Sequence, residues 1–169
     1  IKENVTCYHP QSGEMSASEI KTKIKHMIAH GFKPDLVVID YFECLKLEKP
    51  ETAADKEWTR EGITMRKLES IAHEFDVALW VPIQGTKDSL GQEYVGLQQA
   101  GGSVKKVQIG HVIITFARTT DMAEKGLMNV FVQKFRGGRM NDTKMLNISF
   151  NNGTCHFTDN QSDNLDGID

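Results

Sequence analysis

Apolar residues in the first half of the chain switch between two periods, and the switches mark its elements. Ser16 stands three before Glu19, the spacing of a capping box, and Ile20, Ile24, Met27 and Ile28 follow at helical spacing. This predicts a helix from about Ser16 to His30 with Gly31 as its stop. Upstream, Asn4 to His9 alternates weakly and predicts a short strand ended by Pro10 and the Gln11-Ser12-Gly13 turn. Downstream, Pro34 launches Asp35 to Asp40, whose Leu36, Val37, Val38 and Ile39 predict a strand buried on both faces, as in a parallel sheet covered by helices. Lys46 to Thr52 is polar, contains Pro50 and reads as a loop. From Asp55 to Phe75, the residues Trp58, Met65, Leu68, Ala72 and Phe75 trace one face of a long amphipathic helix. Val77 to Ile83 then reads as a second buried strand.

The second half changes character. Gln84 to Gly102 is rich in Gly, Gln and Ser with few apolar anchors, and a loop of that length inside a domain is functional or mobile. His111 to Phe116 and Leu127 to Phe135 read as strands, followed by the basic turn Arg136-Gly137-Gly138-Arg139. Lys144 to Phe150 alternates, and Asn152-Gly153 signals a hairpin into Thr154 to Thr158. The order of helix, strand, helix, strand and then mostly strands predicts an α/β core with an antiparallel edge meander. One domain over 1–158 is expected, with 159–169 an acidic, disordered tail.

Composition narrows the class. The 169 residues are about one domain's worth, and no apolar run reaches the length of a membrane span, so a cytoplasmic setting is expected. A net charge of −3 gives no global footprint for nucleic acid, which must then be met by local loops. Cys7, Cys44 and Cys155 are widely spaced with no CxxC, as befits reduced thiols rather than a disulfide framework or zinc ribbon. The chain opens at Ile1 with no initiator Met and reads as part of a longer one.

Four places could carry chemistry. Asp40 follows a buried strand at the carboxyl edge of a sheet, where open α/β folds bind ligands and a carboxylate can hold Mg²⁺ through water. An aspartate there also caps a turn, and the short pattern alone favours that simpler role. Gln84 holds the matching position after the neighbouring strand, where an amide can meet a γ-phosphate or attacking water; it is equally a common polar strand end. Lys134 and Arg136, two apart on a strand, point the same way and could grip one polyphosphate, or form a solvated basic hairpin. The Gln84–Gly102 loop with Lys87, extended through Lys105 and Lys106, suits sequence-independent contact with single strands, Tyr94 being its one aromatic; an ordinary loop fits the same residues. His26 and His30 share a helix face without a third ligand, and no GxSxG or HExxH occurs.

Taken in order, these segments resemble the RecA-like motor core of the DnaB-type replicative DNA helicases of bacteria and phages. Leu36-Val37-Val38-Ile39-Asp40-Tyr41 resembles the family's Walker B strand, and Leu68 to Gln84 the helix and strand ending in its sensor glutamine. Gly101-Gly102-Ser103 resembles the DNA-facing loop, and Gln133-Lys134-Phe135-Arg136-Gly137-Gly138 the lysine and arginine-finger motif. The resemblance runs from about Asn4 to Thr158 and covers roughly the C-terminal two-thirds of such a core.

It implies a RecA-like three-layer sandwich with a partly parallel sheet and an antiparallel edge hairpin, truncated at its N-terminus. It further implies a hexameric ring that hydrolyses ATP with Mg²⁺ and translocates on single-stranded DNA, with a primase or helicase loader as partner, in the host cytoplasm where phage-encoded. Asp40 would coordinate Mg²⁺, Gln84 would sense the γ-phosphate, and Lys134 and Arg136 would reach the ATP of the adjacent subunit. Lys87, Gly101, Gly102, Lys105 and Lys106 would contact the DNA backbone.

The chain departs from the family in three ways. It contains no GxxxxGK[ST] phosphate loop, so these 169 residues alone are expected not to hydrolyse ATP. Glu14-Met15-Ser16 lies too close to Asp40 to supply the family's catalytic glutamate, which is not assigned. Gly85-Thr86-Lys87 replaces the usual Asn-Arg after the sensor. Another RecA-like ATPase, such as a recombinase or a KaiC-like protein, and a non-catalytic assembly module are the alternative readings.

Overall fold

The structure, a computed structural model, describes residues 4–49, 57–99, 104–137, 144–151 and 153–159. The chain divides into two compact units, Ile1–Gln84 and Gly85–Asp169.

In the first unit the capping box forms as read. Helix α1 (Ala17–Ala29) starts at Ser16, whose hydroxyl accepts from the Glu19 backbone N–H while the Glu19 side chain accepts from Ser16 N. It ends in a Schellman motif, with Gly31 at φ +87°, Gly31 N donating to Ile28 O and Phe32 N to Met27 O. Helix α2 (Glu57–Phe75) ends in the same geometry without glycine. Asp76 takes φ +52° and Val77 N donates to Ala72 O, aspartate being among the few residues that tolerate that conformation. α2 buries Thr64, Met65, Leu68 and Ile71, and α1 buries Ala17, Ile20 and Ile24. α1 packs on α2, and α2 packs on strand β2 (Ala78–Trp80). Trp58, read as part of the α2 core face, stands 47% exposed.

Strand β1 (Leu36–Val38) pairs with β2 in parallel, Leu36 opposite Ala78 and Val38 opposite Trp80. Two strand expectations are corrected here. Asn4 to His9 forms no strand and is exposed throughout, because its weak alternation offers neither an apolar face nor, among the described residues, a strand to pair with. The β1 and β2 segments are shorter than their apolar runs, and they are not buried on both faces. Leu36, Val38 and Trp80 are 51%, 58% and 60% exposed, because no described element covers that side of the pair.

Glu48 ties this unit together. Its carboxylate accepts from Ser18 N and Oγ at 2.9 Å and from Lys67 Nζ at 2.9 Å, while its own N–H donates to Thr64 Oγ1 at 3.0 Å. Burial raises the Glu48 pKa, but the hydrogen bonds from Lys67 and Ser18 and the Lys67 charge outweigh it and leave the carboxyl below its ordinary range. A carboxyl with a lowered native pKa stabilises the fold above the unfolded value of about 4.3, and that stabilisation is lost as pH falls through the native one. We therefore expect Glu48→Gln to lose about 1.5–2 kcal/mol at neutral pH in urea unfolding, from weakened charge-assisted hydrogen bonds. The gap to wild type should close in acid.

The second unit is built on an antiparallel meander of β3 (Val112–Ala117), β4 (Leu127–Phe135), β5 (Lys144–Asn151) and β6 (His156–Asp159), in that spatial order. One face buries Thr115, Ala117, Asn129 and Phe131. The expected edge hairpin is β5–β6, with Asn151 opposite His156. Asn151 Oδ1 accepts from Gly153 N and Thr154 N at 2.9 and 3.1 Å and so shapes the turn; Asn152 lies outside the described residues. Asp159, the first residue of the expected tail, pairs with Ile148, and 160–169 lie outside the described residues. Two short helices, α3 (Val104–Ile109) and α4 (Thr120–Glu124), complete the unit.

Candidate functional site

Parallel pairing settles where the acid and the amide of the first unit lie. Beyond the Val38–Trp80 pair, Ile39 N donates to Trp80 O and Phe42 N to Pro82 O, each at 2.9 Å, so the two chains run side by side past the strand ends. Asp40 and Gln84 thus emerge, both exposed, at the carboxyl edge of adjacent strands. This is the edge at which open α/β sheets bind ligands.

Three residues that the sequence reading did not single out complete this rim. Glu43 accepts from Gln84 N at 3.3 Å and so fixes the backbone from which the amide projects. Tyr41 has its hydroxyl pKa pushed up, first by its hydrogen bond with the Cys44 thiol and by the Cys44 charge, then by burial and by Glu43; Gln84's amide acts the other way. The local signal was a tyrosine, an acid and a thiol within four residues of Asp40. All three sit on or beside the 3₁₀ turn Phe42–Cys44, whose Phe42 is 1% exposed and anchors the rim.

In the second unit the sequence predicted that Lys134 and Arg136 point the same way, and they do. Both reach the C-terminus of α3. Lys134 Nζ donates to Val107 O at 3.1 Å and to Gln108 O at 2.7 Å, and Arg136 donates to Gln108 O at 2.9 Å. Two cations on the negative pole of a helix make favourable electrostatics. The solvated basic hairpin is therefore not what these residues form.

The loop after Gln84 is better anchored than its composition suggests. Val95 is buried with Ala117 and Phe131, and its carbonyl accepts from Thr115 Oγ1 at 2.7 Å and Gln133 Nε2 at 3.0 Å. Asn129 Nδ2 donates to Glu93 O at 3.0 Å, and Thr86 N donates to Gln99 O, so the segment folds back on itself. Tyr94 packs edge-on against Phe131, with ring centroids 4.9 Å apart.

Of the residues expected to meet DNA, Lys87 is exposed on a 3₁₀ turn and Lys105 is half-buried on α3. Lys106 is 2% exposed, which corrects its reading as a surface contact in this conformation: a buried ammonium cannot reach a phosphate backbone. Gly101 and Gly102 lie outside the described residues. His26 and His30 stack on each other, and His30 Nδ1 lies 2.7 Å from His26 O, a local helix-end contact.

No protein-family model matches the chain, and no curated protein matches its sequence. Solved structures do share its fold. One is a DnaB-like replicative helicase described with its interactions with primase, at TM-score 0.65 and 21% identity, covering 82% of this chain and 33% of that one. Another is the ATPase domain of a second helicase, at TM-score 0.70 and 21% identity, covering 86% of this chain and 51% of that one. The chain is thus a mixed α/β protein with the RecA-like architecture of a helicase ATPase core. More particularly, its fold is that of the DnaB-type core, and it spans about half of the second helicase's ATPase-domain chain rather than the two-thirds the resemblance suggested.

Proposed function

We propose that this chain is part of the ATPase core of a hexameric replicative DNA helicase that translocates on single-stranded DNA. The observation that carries the reading is the parallel register delivering Asp40 and Gln84 to one rim. An exposed carboxylate at that position fits Mg²⁺, which takes one or two carboxylates and completes its shell with water and phosphate oxygens. The ion would neutralise charge on the ATP phosphates, while Gln84 meets the γ-phosphate or the attacking water. Lys134 and Arg136 serve the nucleotide of an adjacent subunit. Lys87, Lys105 and the glycines at 101 and 102 contribute backbone contacts to DNA. A primase or helicase loader is the expected partner, in the cytoplasm of the cell or, for a phage protein, of its host.

In the full-length protein, Asp40→Asn is expected to lower Mg²⁺-dependent ATP hydrolysis by about 10² or more while single-strand binding by fluorescence anisotropy persists. A tailed-fork substrate decides the class: wild type unwinds it and Asp40→Asn does not. Strand pairing without unwinding would instead indicate a recombinase. Unwinding insensitive to Asp40→Asn would defeat the assignment of the metal site.

A further inference from the structure

Helix α3 has only six residues, too few to hold together by its own hydrogen bonds. The last carbonyls of a helix have no partner within it. Here Lys106 O accepts from Gly110 N, and the next two carbonyls are held by Lys134 and Arg136. The connection to β3 is tight, since a Cβ on Gly110 would come within 2.6 Å of the Ile113 side chain. α3 is thus a marginal element kept helical by two cations from β4 and the residue after it. Lys106, 2% exposed, is sequestered while it stays so.

Resting on the helicase reading above, we propose that Lys134 and Arg136 are shared between two acceptors, the C-terminal carbonyls of α3 and the phosphates of a nucleotide, so that nucleotide engagement unlatches α3. Lys134 already commits two of its three N–H groups to carbonyls, so a phosphate that recruits it must displace them. The exchange is downhill because a hydrogen bond from a cation to an ionised oxygen is about twice as strong as one to a neutral acceptor. Once unlatched, α3 frays and Lys106 leaves its buried position. Nucleotide occupancy thereby controls when a cation is presented on the segment that follows residues 101–103. The burial of Lys106 and its candidacy for DNA contact are then two states of one switch.

Hydrogen exchange on the full-length protein, with and without the non-hydrolysable analogue AMP-PNP and Mg²⁺, tests this. Exchange of the Val107–Gly110 amides is expected to rise about tenfold with nucleotide, as one lost capping bond implies. Acylation of Lys106 by an N-hydroxysuccinimide ester should rise with it. A Lys134→Met, Arg136→Met double variant should show the fast exchange before nucleotide is added and no further response. If nucleotide protects Asp40–Cys44 and Gln84 but leaves Val107–Gly110 and Lys106 unchanged, the switch is wrong and the helicase reading stands. If nucleotide protects neither Asp40–Cys44 nor Gln84, the helicase reading fails and takes the switch with it. The wild-type comparison needs no substitution, so a double variant that fails to fold does not remove the test.

Discussion

Replacing Arg136 by alanine in the full-length protein is expected to lower ATP turnover by about 10³ or more while leaving nucleotide affinity nearly unchanged. A factor of 10³ corresponds to about 4 kcal/mol of transition-state stabilisation, more than one hydrogen bond to a backbone carbonyl contributes to local stability. That gap separates the two roles Arg136 could play. A residue that only capped α3 would lose about 1.5–3 kcal/mol of local stability on truncation, and turnover would follow weakly. Arg136→Lys sharpens the contrast, because it keeps the charge and can still bond Gln108 O but lacks the planar fork that matches a phosphoryl group. A finger predicts that lysine restores the helix cap and not the rate. A cap alone predicts that lysine restores both. Steady-state hydrolysis beside equilibrium binding of a fluorescent nucleotide makes the comparison. Turnover by Arg136→Ala within about tenfold of wild type would rule out the finger.

The elements that could be read in the sequence are those whose determinants are local. Helix α1 is written in Ser16, Glu19 and Gly31, each acting within four residues, and it forms with those caps. β4 and the β5–β6 hairpin follow from alternation and turn residues in the same way. Asn4 to His9 has the alternation but no partner, and strand pairing is a property of two segments. The run Leu36 to Ile39 asks for a cover on both faces without saying which residues supply it, and Leu36 and Val38 remain exposed on one side. α4 escaped notice because it is five residues long and signalled only by its cap, Thr119. The site divides along the same line. Asp40 and Gln84 were legible because a strand end is a position in a pattern, and a parallel pair brings two such ends together. The grip of Lys134 and Arg136 on α3 was not, because its acceptors are backbone carbonyls more than twenty residues away that any sequence would offer. Lys106 was misplaced for a related reason: nothing local distinguishes a buried lysine from the common exposed one.

Phe42→Ala is the substitution that should cost the fold most, about 3–5 kcal/mol, because it empties a site whose side chain is 1% exposed. Leu68→Ala, at a fully buried α2 position, belongs to the same range and serves as its control. The two should part company at the rim. Phe42 lies two residues beyond Asp40 and opens the 3₁₀ turn bearing Glu43 and Cys44, and its N–H holds the Pro82 carbonyl just before Gln84. A cavity there loosens the acid and the amide together, whereas a cavity under α2 removes stability without touching either. At a urea concentration where both variants are still folded, amide exchange of Asp40–Cys44 should rise in Phe42→Ala well beyond its rise in Leu68→Ala, with the apparent Mg²⁺ requirement for hydrolysis shifting upward in the full-length protein. Equal exchange in the two variants would mean that Phe42 is ordinary core, and that the rim is positioned by the backbone pairing of β1 with β2 alone.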